Sequence, residues 1–163
     1  MTQPVITLKN VRYAAFASQE TACFSATVYV DGVALCTAEN DGHGGADLYH
    51  PAKGKAHADI EAVDAALKAA AVRPEVVEDW EAQLWDDGYR PGLEEAVGAA
   101  LDAHLLVRDL KRMLAKKTMF KEDGKVFEIK RKYDAAVEKY IRGKYPSAII
   151  LNALPLDEAV KHI

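Results

Sequence analysis

His43 and His50 bracket the end of a glycine-rich run, Asp41-Gly42-His43-Gly44-Gly45, with Tyr49 beside the second and His57 further on. An imidazole titrates near neutral pH, so such side chains can serve as acid, base or metal ligand. Glycines let a backbone approach a ligand closely and turn N–H groups toward it. The spacing matches no established chemistry. There is no H-E-x-x-H, and the run is neither a G-x-G-x-x-G nor a Walker A loop. No metal and no cofactor is therefore expected. The simplest reading is a turn that carries the chain from a sheet to a helix. Two others stand beside it: a ligand or partner contact through His43, and a small enzyme using His43, His50 and nearby carboxylates.

The second group of chemically capable residues is basic. Residues 108 to 145 carry 13 Lys and Arg against 6 Asp and Glu, a balance of +7, whereas residues 1 to 107 carry 7 against 17, a balance of −10. The split implies two different electrostatic surfaces. Lys111, Arg112, Lys116, Lys117, Lys130, Arg131 and Lys132 are the residues expected to contact phosphates, by counterion release. Phe120, Phe127, Tyr133, Tyr140 and Tyr145 interleave with them, and rings can stack on bases. Tyr133, Ala136, Val137, Tyr140 and Ile141, however, repeat at helical spacing, which places both of those tyrosines in a core. The competing readings of the stretch are a solvated basic face and a surface for an acidic protein.

A third group is acidic: Glu75, Glu78, Asp79, Glu81, Asp86 and Asp87, interspersed with Trp80 and Trp85. Paired carboxylates can do acid–base or metal work, but on a short helix they are mostly a solvated face. Trp85 falls about 90° round that helix from Trp80 and Leu84. An exposed tryptophan there marks a protein-binding surface.

The elements that position these groups can be read from periodicity. Val5 to Phe16 reads as a strand with a bulge near Asn10. Cys23 to Val30 and Val33 to Ala38 make a hairpin around Asp31-Gly32, with Phe24, Ala26, Val28 and Val30 facing a core. Counting out from that turn puts Cys23 and Cys36 on one face, roughly 13 Å apart and too far for a disulfide, so both are expected to be free thiols. Residues 40 to 54 read as a loop and 56 to 71 as a helix. A second helix starts at Pro74 with Val76, Val77, Trp80 and Leu84 on its apolar side, and ends at Gly88. Leu93 to about Ala115 is the longest helix. Its two apolar faces, Val97-Leu101-Leu105 and Leu106-Leu110-Met113-Leu114, predict packing on both sides. A second hairpin turns at Asp123-Gly124, followed by a helix over 133 to 142 and short helices beyond Pro146.

This pattern predicts an α+β domain over residues 1–163, with a β-rich part (1–50), a helical part (55–116) and a basic hairpin with C-terminal helices (117–163). One mostly antiparallel sheet, built from two hairpins and the N-terminal strand, packs on several helices. No apolar run approaches 18 residues, so no membrane span is expected. The start of the chain lacks signal-peptide features, which predicts a cytoplasmic protein.

Val11-Arg-Tyr-Ala-Ala-Phe-Ala-Ser-Gln-Glu-Thr, Cys23-Phe-Ser-Ala-Thr-Val-Tyr-Val-Asp-Gly and Asn40-Asp-Gly-His-Gly-Gly resemble segments of small uncharacterised proteins encoded by bacteriophages, prophages and mobile elements. Arg108-Asp-Leu-Lys-Arg, Lys116-Lys-Thr-Met-Phe and Ile150-Leu-Asn resemble that group as well. The resemblance implies a bacterial host cytoplasm and an accessory role, with no particular chemistry. The expected function is a non-enzymatic protein that binds nucleic acid, or a host nucleoprotein complex, through the basic segment. The alternative is a protein-only, anti-CRISPR-like inhibitor of a host defence protein.

Overall fold

The computed structural model describes residues 3–75 and 78–163. The chain divides after Leu101 into two compact units, residues 1–101 and 102–163. The fold class is α+β, and the strands fall into two antiparallel sheets.

In the first unit, β1 (Ile6–Tyr13), β2 (Cys23–Val30), β3 (Val33–Asp41) and β4 (Leu48–Pro51) form a sheet in sequence order. Phe24, Ala26 and Val28 of β2 are buried, as their alternation requires. Asp31 and Gly32 take φ of 48° and 83°, the left-handed pair that a two-residue hairpin favours. The bulge near Asn10 is present. Pairing breaks between Lys9 and Arg12, Asn10 has φ of 54°, and Ile6, Leu8, Val11 and Tyr13 thereby share the less exposed side.

A second bulge, at Leu35, corrects the expected register of the cysteines. Val30 pairs with Val33, but the register then shifts, so Val28 stands opposite Cys36 and Cys23 opposite Asp41. One extra residue puts Leu35 and Cys36 both in the core and leaves the two cysteines on opposite faces. Both are free. Cys36 is fully buried, and burial pushes its thiol up to about 11. A thiol reagent such as DTNB should therefore label Cys23 in the native protein and Cys36 only on unfolding. Equal labelling rates in the native state would contradict this placement.

β4 lies in the stretch read as a loop. It is a four-residue edge strand ending at a proline, too short for alternation to reveal. α1 (His57–Ala70) buries Ile60 and Leu67. α2 (Asp79–Asp86) begins later than Pro74. Glu78 is extended, and its N–H is held by Glu81 Oε2 at 3.1 Å, so the helix starts there. Val76 and Val77 lie outside the described residues. Gly88, at φ 92°, ends α2 as expected. α3 (Leu93–Leu114) opens with Asp64 Oδ1 accepting from the Leu93 N–H at 2.9 Å. Its two apolar faces serve two cores in succession: Leu93, Val97 and Leu101 are buried in the first unit, and Leu110 in the second. Leu106, expected on the second apolar face, is 47% exposed, so packing on both sides does not hold along the whole helix.

In the second unit, β5 (Thr118–Glu122) and β6 (Lys125–Ile129) make the expected hairpin. β7 (Ile149–Ile150) pairs on the far side of β5, which leaves β6 at an edge. α4 (Ala135–Lys144) is capped by Asp134, whose Oδ1 accepts from the Val137 N–H at 2.8 Å. Phe120 clusters with Val137, Ile141, Ala148 and Ile150, and its neighbour Met119 with Leu110, Leu151 and Ala159. Successive residues of β5 point to opposite faces, so this small sheet is packed on both. Leu156–Ala159 forms the short α5. Val137 and Ile141 supply the buried stripe of α4. Tyr133 packs half-buried against it, but Tyr140 is 54% exposed, contrary to the core position expected from its spacing.

Candidate functional site

The basic residues are placed by the ends of three elements. Lys111 and Arg112 occupy the last turn of α3, Lys116 and Lys117 lead into β5, and Lys130, Arg131 and Lys132 follow β6. Thr118 pairs with Ile129 across the hairpin, so the residues just outside that pair, Lys116–Lys117 and Lys130–Arg131, leave its open end side by side. Thr118 is fully buried, and its hydroxyl donates to the Arg131 carbonyl at 2.9 Å, tying the two segments together. Asn152 fixes the turn before β5. Its Oδ1 accepts from the Met119 N–H (2.7 Å), and its Nδ2 donates to the carbonyls of Leu114 and Lys117 (both 3.0 Å).

These cations are not equivalent. Lys117 is paired with Glu128, Arg131 with Asp134 at 2.8 Å, and Arg112 lies 3.7 Å from Asp109. Lys111, Lys116, Lys130 and Lys132 make no direct ion pair among the described residues, although Lys117 and, with it, Lys130 hold the Glu128 carboxyl below its ordinary value. Lys116, Lys130 and Lys132 are exposed, as is Lys111. The second unit as a whole carries 14 Lys and Arg against 9 Asp and Glu, a balance of +5.

Around α2 the two tryptophans exchange the roles read from the sequence. Trp85 is half-buried under Arg90, whose guanidinium lies 4.8 Å from the ring and donates to the Trp85 carbonyl at 3.0 Å. Trp80 is the exposed one, at 63%. No residue of α2 is buried. Pro74, Trp80, Glu81, Leu84, Trp85 and Tyr89 line an open groove of about 190 Å³.

The glycine-rich loop is held by Asn40, at the buried end of β3. Its Oδ1 accepts from Thr21 Oγ1 (2.6 Å) and the Gly42 N–H (2.9 Å), and its Nδ2 donates to the Gly45 carbonyl (3.2 Å) and Asp47 Oδ1 (3.1 Å). The Gly42 carbonyl accepts in turn from the Gln19 and Glu20 N–H groups at 2.9 and 3.1 Å. The loop is thus stitched to the segment before β2. His43 is exposed at its tip, and its ring has no hydrogen-bond partner among the described residues. His50 faces solvent beside Glu39, 3.0 Å away. No hydrogen bond joins the two histidines, and no three His, Cys, Asp or Glu side chains among the described residues are grouped to hold a metal. Apart from the His43 ring, the loop's hydrogen bonds among the described residues hold the loop itself.

No family model, curated protein or solved structure matches this chain. No described helix is long and apolar enough to cross a membrane.

Asn40, Asn152 and Thr118 are the residues that sequence reading passed over. Thr118 and Asn40 lie near the ends of strand ladders and Asn152 in the short turn after β7, where backbone segments leave regular pairing. A buried amide or hydroxyl satisfies the exposed N–H and C=O groups there.

Proposed function

We propose that this chain is a non-enzymatic accessory protein of the kind phages and mobile elements encode, and that it binds nucleic acid, free or within a host nucleoprotein complex, through its second unit. One observation supports this most: Lys111, Lys116, Lys130 and Lys132 make no direct ion pair among the described residues, while the neighbouring Arg112, Lys117 and Arg131 are paired within the unit. An ammonium already neutralised by a carboxylate releases few phosphate counterions on binding. An unpaired one contributes fully. The paired residues hold the hairpin and helix ends in place, and the unpaired lysines meet the phosphates. Fluorescence anisotropy with labelled DNA and RNA oligonucleotides tests this. The expected dissociation constants are on the order of 10⁻⁴ to 10⁻⁶ M at physiological salt. No binding to either at 50 mM salt, roughly where phosphate contacts are strongest in such assays, would overturn it.

A second reading rests on Trp80. An exposed tryptophan in a groove that Glu81 also lines, on a helix whose first turn carries Asp79 and Glu81, suits a basic segment of a host protein, as an anti-defence inhibitor would need. A complex with a host protein that survives nuclease, and that Trp80→Ala weakens by about 2 kcal/mol or more, is its expected signature. Nuclease-sensitive capture alone would count against it.

A further inference from the structure

The second unit carries an aromatic stack whose outer ring, Phe127, its own folding leaves partly uncovered. Phe120, 3% exposed, anchors it in the core. Phe127 of β6 lies directly across the hairpin from Phe120, with ring centroids 5.5 Å apart and planes 21° from parallel. Tyr145 completes the cluster, 5.2 Å from Phe120 and 6.5 Å from Phe127, its plane only 14° from that of Phe127. The rings are therefore fixed by packing. Phe127 nevertheless keeps 42% of its surface in water, and Tyr140, the next aromatic ring along α4, keeps 54%.

The surroundings are cationic. Lys144 Nζ stands 5.4 Å from the Tyr145 ring and 5.8 Å from the Tyr140 ring, and donates to Tyr140 Oη at 3.4 Å. Lys125 shares a face of β6 with Phe127. Neither lysine has a carboxylate partner among the described residues. Glu122, across the hairpin from Lys125, has its carboxylate turned to Ser147 Oγ at 2.8 Å. A packed, partly exposed ring on the edge strand β6 and a second exposed ring on α4, each with a lysine that makes no ion pair, supply the two components of a single-strand platform: π-faces for bases and charge for the backbone.

We infer that Phe127 and Tyr140, flanked by Lys125 and Lys144, form a base-stacking platform for single-stranded nucleic acid. This rests on the proposal that the unit binds nucleic acid, and it specifies the form bound. A duplex base is already stacked on both faces and offers a protein only its edges and phosphates. A single strand can lay a base on Phe127 and continue the stack begun by Phe120 and Tyr145. Because the contact is made to a π-face, it distinguishes single strands from duplex without reading sequence.

The test uses the full chain and three fluorescein-labelled probes: dT15, rU15 and a 15-base-pair duplex. The variants are Tyr140→Leu, Phe127→Leu and the double substitution. Leucine keeps apolar volume against Phe120 and removes the ring, so folding is preserved where alanine would leave a gap. Losing one stacked base costs about 5- to 150-fold in affinity. The expected result is a loss of at least about tenfold for dT15 and rU15 in the double variant, with duplex affinity unchanged within about twofold, and recovery in Tyr140→Phe. Single strands and duplex bound equally well, with no effect of the leucine substitutions, would overturn the platform and leave phosphate binding standing. Absence of binding to all three probes would overturn both.

Discussion

Gly42→Ala should destabilise the first unit by about 3 kcal/mol or more, combining a left-handed backbone penalty with a backbone collision. Gly42 sits at φ +88°, where any side chain is strained, and a Cβ there would lie 2.2 Å from the Ala17 carbonyl oxygen and 2.9 Å from Cys23 Cβ. Relief by movement is blocked on both sides. Shifting the loop outward pulls the Gly42 carbonyl off the Gln19 and Glu20 N–H groups and disturbs the Asn40 contacts. Gly45→Ala is the control. Its φ is +92°, but nothing lies within 4 Å of its Cβ position, so only the backbone term remains, about 1–2 kcal/mol. Thermal melts of the two variants separate the terms. In a chain of this size the difference should appear as a midpoint for Gly42→Ala several degrees lower, at about 2–4 °C per kcal/mol. Equal losses in the two would mean the close approach to Ala17 is absent.

Replacing Lys111, Lys116, Lys130 and Lys132 together by alanine should have the largest effect on binding. Each lysine that contacts a phosphate adds about one unit to the slope of log K against log salt. Removing four should flatten the dependence by about three to four units and weaken binding at 100 mM salt by roughly 100-fold or more. Arg131→Ala should do much less directly, because its charge is already matched by Asp134, which also caps α4. Lys53→Ala with Lys55→Ala removes two exposed cations from the first unit and should leave binding unchanged. If that pair weakens binding as much as the four, the attraction is a general response to cation number and not to the second unit's surface.

The parts of the fold that were legible in the sequence are those whose cause is local. Both Asp-Gly hairpins, the alternation of Phe24, Ala26 and Val28, and the stripe of α1 follow from one residue's conformational preference or one period. The parts that were not legible depend on an event elsewhere in the chain. The Leu35 bulge has no marker in Val33-Ala34-Leu35-Cys36, yet it moves Cys36 to the core. The two apolar faces of α3 were visible, but not that they belong to successive cores, because periodicity says which side is apolar and not what covers it. Trp80 and Trp85 illustrate the same limit. Their angle round α2 was readable, whereas the Arg90 side chain that covers Trp85 comes from beyond the helix end. Tyr140 shares helical spacing with Val137 and Ile141 but lies at the margin of the stripe, where about 100° per residue turns it outward. For the basic segment, sequence gave the charges. Which of them are neutralised by Glu128, Asp134 and Asp109 required the pairing of the hairpin and the course of the helices.

The most direct test of the account is the salt dependence of oligonucleotide binding by the unmodified chain between about 50 and 300 mM salt, a range over which phosphate contacts are progressively screened. Four unpaired lysines predict a straight line with a slope of roughly −3 or steeper for single strands, at about −0.7 per phosphate neutralised. A slope near zero, or no binding at the lowest salt, would contradict the claim that the second unit works through these lysines.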